Sequence, residues 1–103
     1  MVMMRLIAVM SVFFVVTLLT IAAQAGNGEQ TFKQKCAMCH VVKGQGGAIG
    51  PDLTQVASRL KEKDLRGKLD NPRKTAPNSS MPSFKTLPKP DMDALIGYLK
   101  GLK

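Results

Sequence analysis

Five consecutive residues, Cys36-Ala37-Met38-Cys39-His40, hold both cysteines and the only histidine of the chain. Two thiols three positions apart can reach the two vinyl groups on one edge of a porphyrin and close two thioethers. The histidine directly after them then falls beneath the ring, where an imidazole nitrogen can ligate iron. The run therefore reads as the attachment site of one covalently bound haem c, with His40 as an iron ligand. Three other chemistries compete for the same residues. A redox dithiol belongs at a strand-to-helix turn of a βαβ unit, and no such pattern surrounds these cysteines. A structural zinc site wants four ligands, and only three candidates crowd into the five positions. A disulfide between Cys36 and Cys39 leaves the histidine unexplained.

The flanking segments are spaced to position that run. Gly28, Phe32, Cys36 and His40 recur every four residues, which predicts a helix over Gly28 to Met38 with the first three on one face. Lys33 and Lys35 fall off that face. Lys43 to Pro51 contains Gly44, Gly46, Gly47 and Gly50 but lacks the Lys-Ser/Thr ending of a phosphate cradle. It reads as a loop that turns tightly against the histidine side of a flat cofactor. Val56 with Leu60, and Leu65 with Leu69, predict two short helices. Gly67 weakens the second by about 1 kcal/mol relative to alanine, and Asn71-Pro72 stops it. The charged residues from Arg59 to Lys68 read as a solvated face. Residues 72 to 80 form an irregular polar loop that delivers Met81-Pro82. Beyond Pro88, the residues Met92, Leu95, Ile96, Leu99 and Leu102 make the apolar stripe of a last helix, with Tyr98 beside it. Pro88 offers no capping oxygen, although Pro90 and Asp91 suit a first turn. No run alternates as a strand does, so the expected fold class is all-α.

With 103 residues the chain has room for one domain. Residues 1–25 stand apart from it: a start carrying Arg5, an apolar run from Leu6 to Ala23, and Ala23-Gln24-Ala25 in the small-x-small pattern of a secretory cleavage site. The 18-residue run also just suffices to span a bilayer, so an uncleaved anchor competes with a cleaved signal. On either reading the domain at 26–103 is exported, which places it in the periplasm. That part carries 14 Lys and Arg against 7 Asp and Glu. An exported, aromatic-poor domain offers nucleic acid no stacking platform, so the basic balance points to acidic protein partners or an anionic membrane surface. Membrane attachment is expected only with the N-terminal segment uncleaved. A chain this small buries a thin core, and a covalently held porphyrin would supply much of it.

Taken together these residues resemble a class I cytochrome c over essentially all of Gly28 to Leu102, in the short form of the small bacterial monohaem cytochromes. In that family a Gly and a Phe stand eight and four residues before the first haem cysteine, as Gly28 and Phe32 do, and pack against a Leu-x-x-aromatic pair matched by Leu95 and Tyr98. The resemblance implies a cytochrome c fold of three to five helices wrapped around one haem c. Gly50-Pro51-Asp52-Leu53 resembles the family's Gly-Pro-x-Leu, by which the Pro51 carbonyl would accept a hydrogen bond from the second ring nitrogen of His40. Met81-Pro82, 41 residues after His40, resembles the family's sixth-ligand Met-Pro. Met92 falls on the apolar stripe, Met38 lies between the cysteines on the histidine's side, and Met81 has no packing explanation in its loop. The chain has no tryptophan and a short segment between Leu53 and Met81, so Ser79 is the donor to a haem propionate suggested by position alone.

Iron held by both His40 and Met81 has no open position, which implies an electron carrier and not an enzyme. Lys33, Lys35, Lys43, Lys85 and Lys89 are the candidates to steer encounters with acidic donor and acceptor proteins. Two other readings stay open: a gas-binding or weakly peroxidatic haem protein with a labile Met81, and a haem subunit of a larger oxidoreductase rather than a free monomer.

Overall fold

A computed structural model describes residues 27–103, and the segment read as a signal or anchor, 1–25, lies outside the described residues. Three α-helices follow in order: α1 (Gly28–Lys35), α2 (Glu62–Asp70) and α3 (Lys89–Lys100). Single 3-10 turns stand at Val56–Ser58 and Pro72–Lys74. Among the described residues no helix is long and apolar enough to cross a membrane.

Local chemistry sets the ends of α1. The Asn27 side chain accepts the Gln30 N–H at 3.1 Å, Glu29 lies in the first turn, and Lys33 and Lys35 lie in the last. The helix ends earlier than the expected Met38. From Cys36 onward the chain proceeds by turns, the His40 N–H still donating to the Cys36 carbonyl at 3.0 Å. Pro88 opens α3 without a side-chain cap, and Asp91 lies in the first turn, as the sequence implies.

The core forms where α1 crosses α3. Phe32 is buried with its ring centroid 5.4 Å from that of Tyr98, and Leu95 and Ile96 are fully enclosed. Each such side chain contributes about 1.5–3 kcal/mol on burial. The crossing is close because position 28 carries only a hydrogen. A Cβ there would overlap the Ala94 carbonyl oxygen and stand 2.9 Å from Tyr98 Cβ. Gly28→Ala is therefore expected to lower stability by about 1–3 kcal/mol through overpacking, despite alanine's better helix propensity. Thermal unfolding of the holoprotein reads this out, and an unchanged or higher midpoint contradicts it.

On the outside, α2 and α3 are bridged by Lys100 to Glu62 at 2.9 Å and Arg66 to Asp93 at 3.1 Å. The hydrogen bond from Lys100 holds the Glu62 carboxyl below its ordinary range. Both pairs are exposed, so they orient the helices more than they stabilise them.

Two further expectations change. The helix read from Val56 and Leu60 is one 3-10 turn, because the Ala57 N–H donates to the Leu102 carbonyl at 2.8 Å and ties this segment to the end of the chain. The mostly helical fold also contains a minimal antiparallel pair, β1 (Val41–Val42) with β2 (Gln45–Gly46). Lys43 and Gly44 both have positive φ, 51° and 77°, as a two-residue hairpin turn of this hand requires. The Lys43 N–H donates to Thr54 Oγ1 at 2.9 Å, which holds the turn.

Candidate functional site

Cys36 lies just past the end of α1 and is buried, while Cys39 is half-buried. Burial first, and Cys39 second, push the Cys36 thiol up to about 11. A thiol raised in this way is not the activated, attacking thiol of a redox dithiol. Among the described residues no three His, Cys, Asp or Glu side chains converge as metal ligands, which leaves the zinc reading short of its donors.

His40 is oriented by the loop that follows it. Its Nδ1 lies 2.8 Å from the Pro51 carbonyl oxygen. A carbonyl can only accept, so the proton sits on Nδ1 and Nε2 is left as the ring's lone-pair donor. The glycine-rich loop is drawn onto the attachment run by Gly47 N–H to Ala37 O at 2.8 Å and Gly50 N–H to Cys39 O at 2.6 Å. At Gly50 the imidazole itself occupies the space. A Cβ there would sit 2.5 Å from His40 Cε1 and 2.7 Å from Nδ1.

The imidazole faces a hollow core. A cavity of about 370 Å³ has walls of Leu53, Val56, Leu60, Leu65, Leu69, Pro72, Ala76 and Leu99, with His40 and Met81 also on its lining. A second, of about 330 Å³, shares His40, Pro51, Ser79 and Met81 and adds Cys36 and Cys39. The structure thus brings together all six residues singled out from the sequence: Cys36, Cys39, His40, Pro51, Ser79 and Met81. Leaving apolar walls of that extent to water would cost several kcal/mol, a large part of the stability of so small a domain.

Met81 is half-buried, and its N–H donates to Ser79 Oγ at 3.1 Å. The Ser79 hydroxyl oxygen accepts this bond, which leaves its O–H to donate, the role expected toward a propionate. Met38 is 84% exposed, and Met92 packs partly buried against the core. Neither lines the two cavities.

Three polar residues of the slot were missed. Arg59, Lys68 and Thr75 line its otherwise apolar wall. Arg59 donates to the Asp52 carbonyl at 3.1 Å, and Lys68 donates to Thr75 Oγ1 at 3.0 Å. Arg59 stays exposed, as a solvated face implies, while Lys68 is half-buried, which corrects the expectation at that end. Their spacing held the clue, since Arg59 is three residues after buried Val56 and Lys68 three after buried Leu65. The five lysines named as docking candidates sit in different surroundings. Lys33 pairs with Glu29 at 3.2 Å and Lys89 with Asp93 at 2.7 Å. Lys35 lines the cysteine side of the slot, whereas Lys43 and Lys85 line separate hollows.

An apolar slot with an imidazole and a thioether on its lining, thiols along one side and cations at its margin fits a flat apolar ligand bearing anionic groups. That donor set is the one a covalently attached haem uses. The chain belongs to the cytochrome c family, whose model, described as "Cytochrome c", matches residues 25–103. Cytochrome c of Guizotia abyssinica is 36% identical over 101 residues, covering 77% of this chain and 90% of the plant protein. Cytochrome c of Arabidopsis thaliana is 32% identical over 104 residues, covering 80% and 92%. Cytochrome c oxidase subunit 2 of Alkalihalophilus pseudofirmus is 34% identical over 88 residues, which take in 77% of this chain but only 26% of that subunit. The chain therefore has the cytochrome c fold, carries covalently bound haem c, and is a haem electron-transfer protein.

Proposed function

We propose that this chain is a monohaem carrier that passes single electrons between exported or membrane-bound redox partners, with Cys36 and Cys39 as the thioether attachments and His40 and Met81 as the axial ligands. The observation that carries the reading is that His40, its ring fixed by Pro51, lines the same apolar slot as Met81. Haem, when bound, supplies a one-electron ferric–ferrous couple. The residues of the chain determine what that couple can do. Ligation by Nε2 of His40 and the sulfur of Met81 leaves no place for a substrate, and the thioether favours the ferrous state. The apolar wall keeps water away, while Arg59, Lys68 and Thr75, together with Ser79, offer donors to the propionates. Export to the periplasm is supported by the N-terminal run ending at Ala25.

The net positive charge of the domain supports docking on acidic partners. Oxidation of the ferrous holoprotein by an anionic oxidant, hexacyanoferrate, is expected to slow several-fold as ionic strength rises from about 0.01 M to 0.1 M, where the Debye length shrinks from about 30 Å to 10 Å. A cationic cobalt oxidant is expected to show the opposite trend. Flat profiles with both contradict charge-guided docking, and steady turnover of hydrogen peroxide contradicts the carrier role. The similarity to part of an oxidase subunit supports a second reading, a haem module working inside a larger oxidoreductase. Elution of the native protein as a free monomer favours the carrier; stable co-elution with a dehydrogenase or oxidase favours the module.

A further inference from the structure

We propose that Arg73 is a positioning residue that latches Met81 into the slot, an inference that rests on the reading of Met81 as an axial ligand. The loop bearing Met81 is held unequally on its two sides. On the C-terminal side, Ser83 Oγ donates to the Asp70 carbonyl at 2.6 Å and the Phe84 N–H donates to the Leu69 carbonyl at 2.8 Å. Both ties reach the last turn of α2, a rigid element. On the N-terminal side the backbone of residues 75–80 bonds mostly within its own neighbourhood: Ala76 N–H to Pro72 O at 3.2 Å and Ser79 N–H to Ala76 O at 2.9 Å.

Lys68 of α2 holds the Thr75 side chain at 3.0 Å, but over residues 76–80, among the described residues, the one side-chain hydrogen bond that reaches the backbone from outside is Arg73 Nε to the Ser79 carbonyl, at 3.3 Å. Ser79 then relays the constraint. Its carbonyl takes the guanidinium, and its hydroxyl takes the Met81 N–H at 3.1 Å. Arg73 reaches out from a fixed base, because the preceding Pro72 is buried and lines the slot. When the Arg73 bond breaks, residues 76–81 can swing about Pro82 while the ties to α2 stay closed. That motion withdraws the thioether and opens its side of the slot to a small exogenous ligand.

The test compares ferric wild-type holoprotein with Arg73→Leu and Arg73→Gln. Gln places an amide nitrogen the same number of bonds from Cα as Arg Nε, so it restores the donor without the charge, whereas Leu removes both. Arg73→Leu is expected to bind azide about fivefold more tightly, the weight of one side-chain hydrogen bond, and to lose the near-infrared sulfur-to-iron band at a lower temperature. Arg73→Gln is expected to match wild type in both, and global unfolding followed by circular dichroism is expected to keep its midpoint in all three proteins. Wild-type azide affinity in Arg73→Leu overturns the latch. So does an Arg73→Gln protein as altered as the Leu variant, or an unfolding midpoint that falls in step with the band. Absence of the band from the wild-type protein removes the Met81 reading, and the latch with it, so the two failures are distinguishable.

Discussion

Gly50→Val is expected to cut the yield of haem-loaded protein at least tenfold and to change the absorption spectrum of what remains. The reason is space at the imidazole. A Cβ at position 50 would lie 2.5, 2.7 and 3.1 Å from Cε1, Nδ1 and Nε2 of His40. The ring cannot retreat without leaving the Pro51 carbonyl, which lies 2.8 Å from Nδ1. The loop cannot retreat without breaking the Gly50 N–H bond to Cys39 O. The imidazole or the attachment run must therefore move, and overpacking of about 1–3 kcal/mol falls on the group that meets the iron. Valine adds two methyl groups to that collision, and Gly50→Ala is expected to show a milder form of the same defect. Gly67→Ala is the control, since a Cβ there meets nothing within 4 Å and alanine relieves the helix cost of glycine. Haem content per chain, measured as haemochrome absorbance against peptide mass, reads the effect. A Gly50→Val protein with wild-type haem content and spectrum contradicts this view of the loop.

Replacing both Cys36 and Cys39 by alanine is expected to give an exported chain with no covalent porphyrin and no cooperative unfolding transition. Two losses combine. The thioethers would be the tether, and the porphyrin they hold would form part of the core. Val56, Leu65, Leu69 and Leu99, each buried, turn part of their apolar surface to the slot. A cavity of about 370 Å³ is far larger than a single truncated side chain leaves, and truncations of that kind already cost about 2–5 kcal/mol. A domain of this length has few kcal/mol to lose. Intact mass and far-ultraviolet circular dichroism of the purified variant test both halves. A mass increment of one haem, or a sharp wild-type-like melt without haem, contradicts the prediction.

What could be read from the chain alone follows the range of the interactions involved. The attachment run, the Asn71-Pro72 stop and the periodic faces of α1 and α3 are encoded within a few residues, whereas the pairing of Gly28 and Phe32 with Leu95 and Tyr98 was legible only by resemblance. The His40–Pro51 contact became legible only by resemblance, because ten residues separate the two and no periodicity links them. The hairpin at Val41 to Gly46 was missed because two-residue strands leave no alternation to see. The helix read over Val56 and Leu60 shrank to a turn because the Ala57 N–H bonds to Leu102 at the far end of the chain. Arg59 and Lys68 read as solvated on their charge, yet both line the slot, three residues after buried Val56 and Leu65, and Lys68 is half-buried. Lys33 and Lys89 each pair with a carboxylate one helical turn away while staying exposed, a local pairing that the i,i+4 spacing encodes.

The most direct measurement is the near-infrared absorption of the ferric native protein beside that of its Met81→Ala variant. Ligation by His40 and Met81 predicts a sulfur-to-iron charge-transfer band in the native protein and its complete loss in the variant, with the covalent haem retained in both. A native protein without the band and with a high-spin ferric signal would contradict the six-coordinate carrier, as would a band that survives removal of the Met81 thioether.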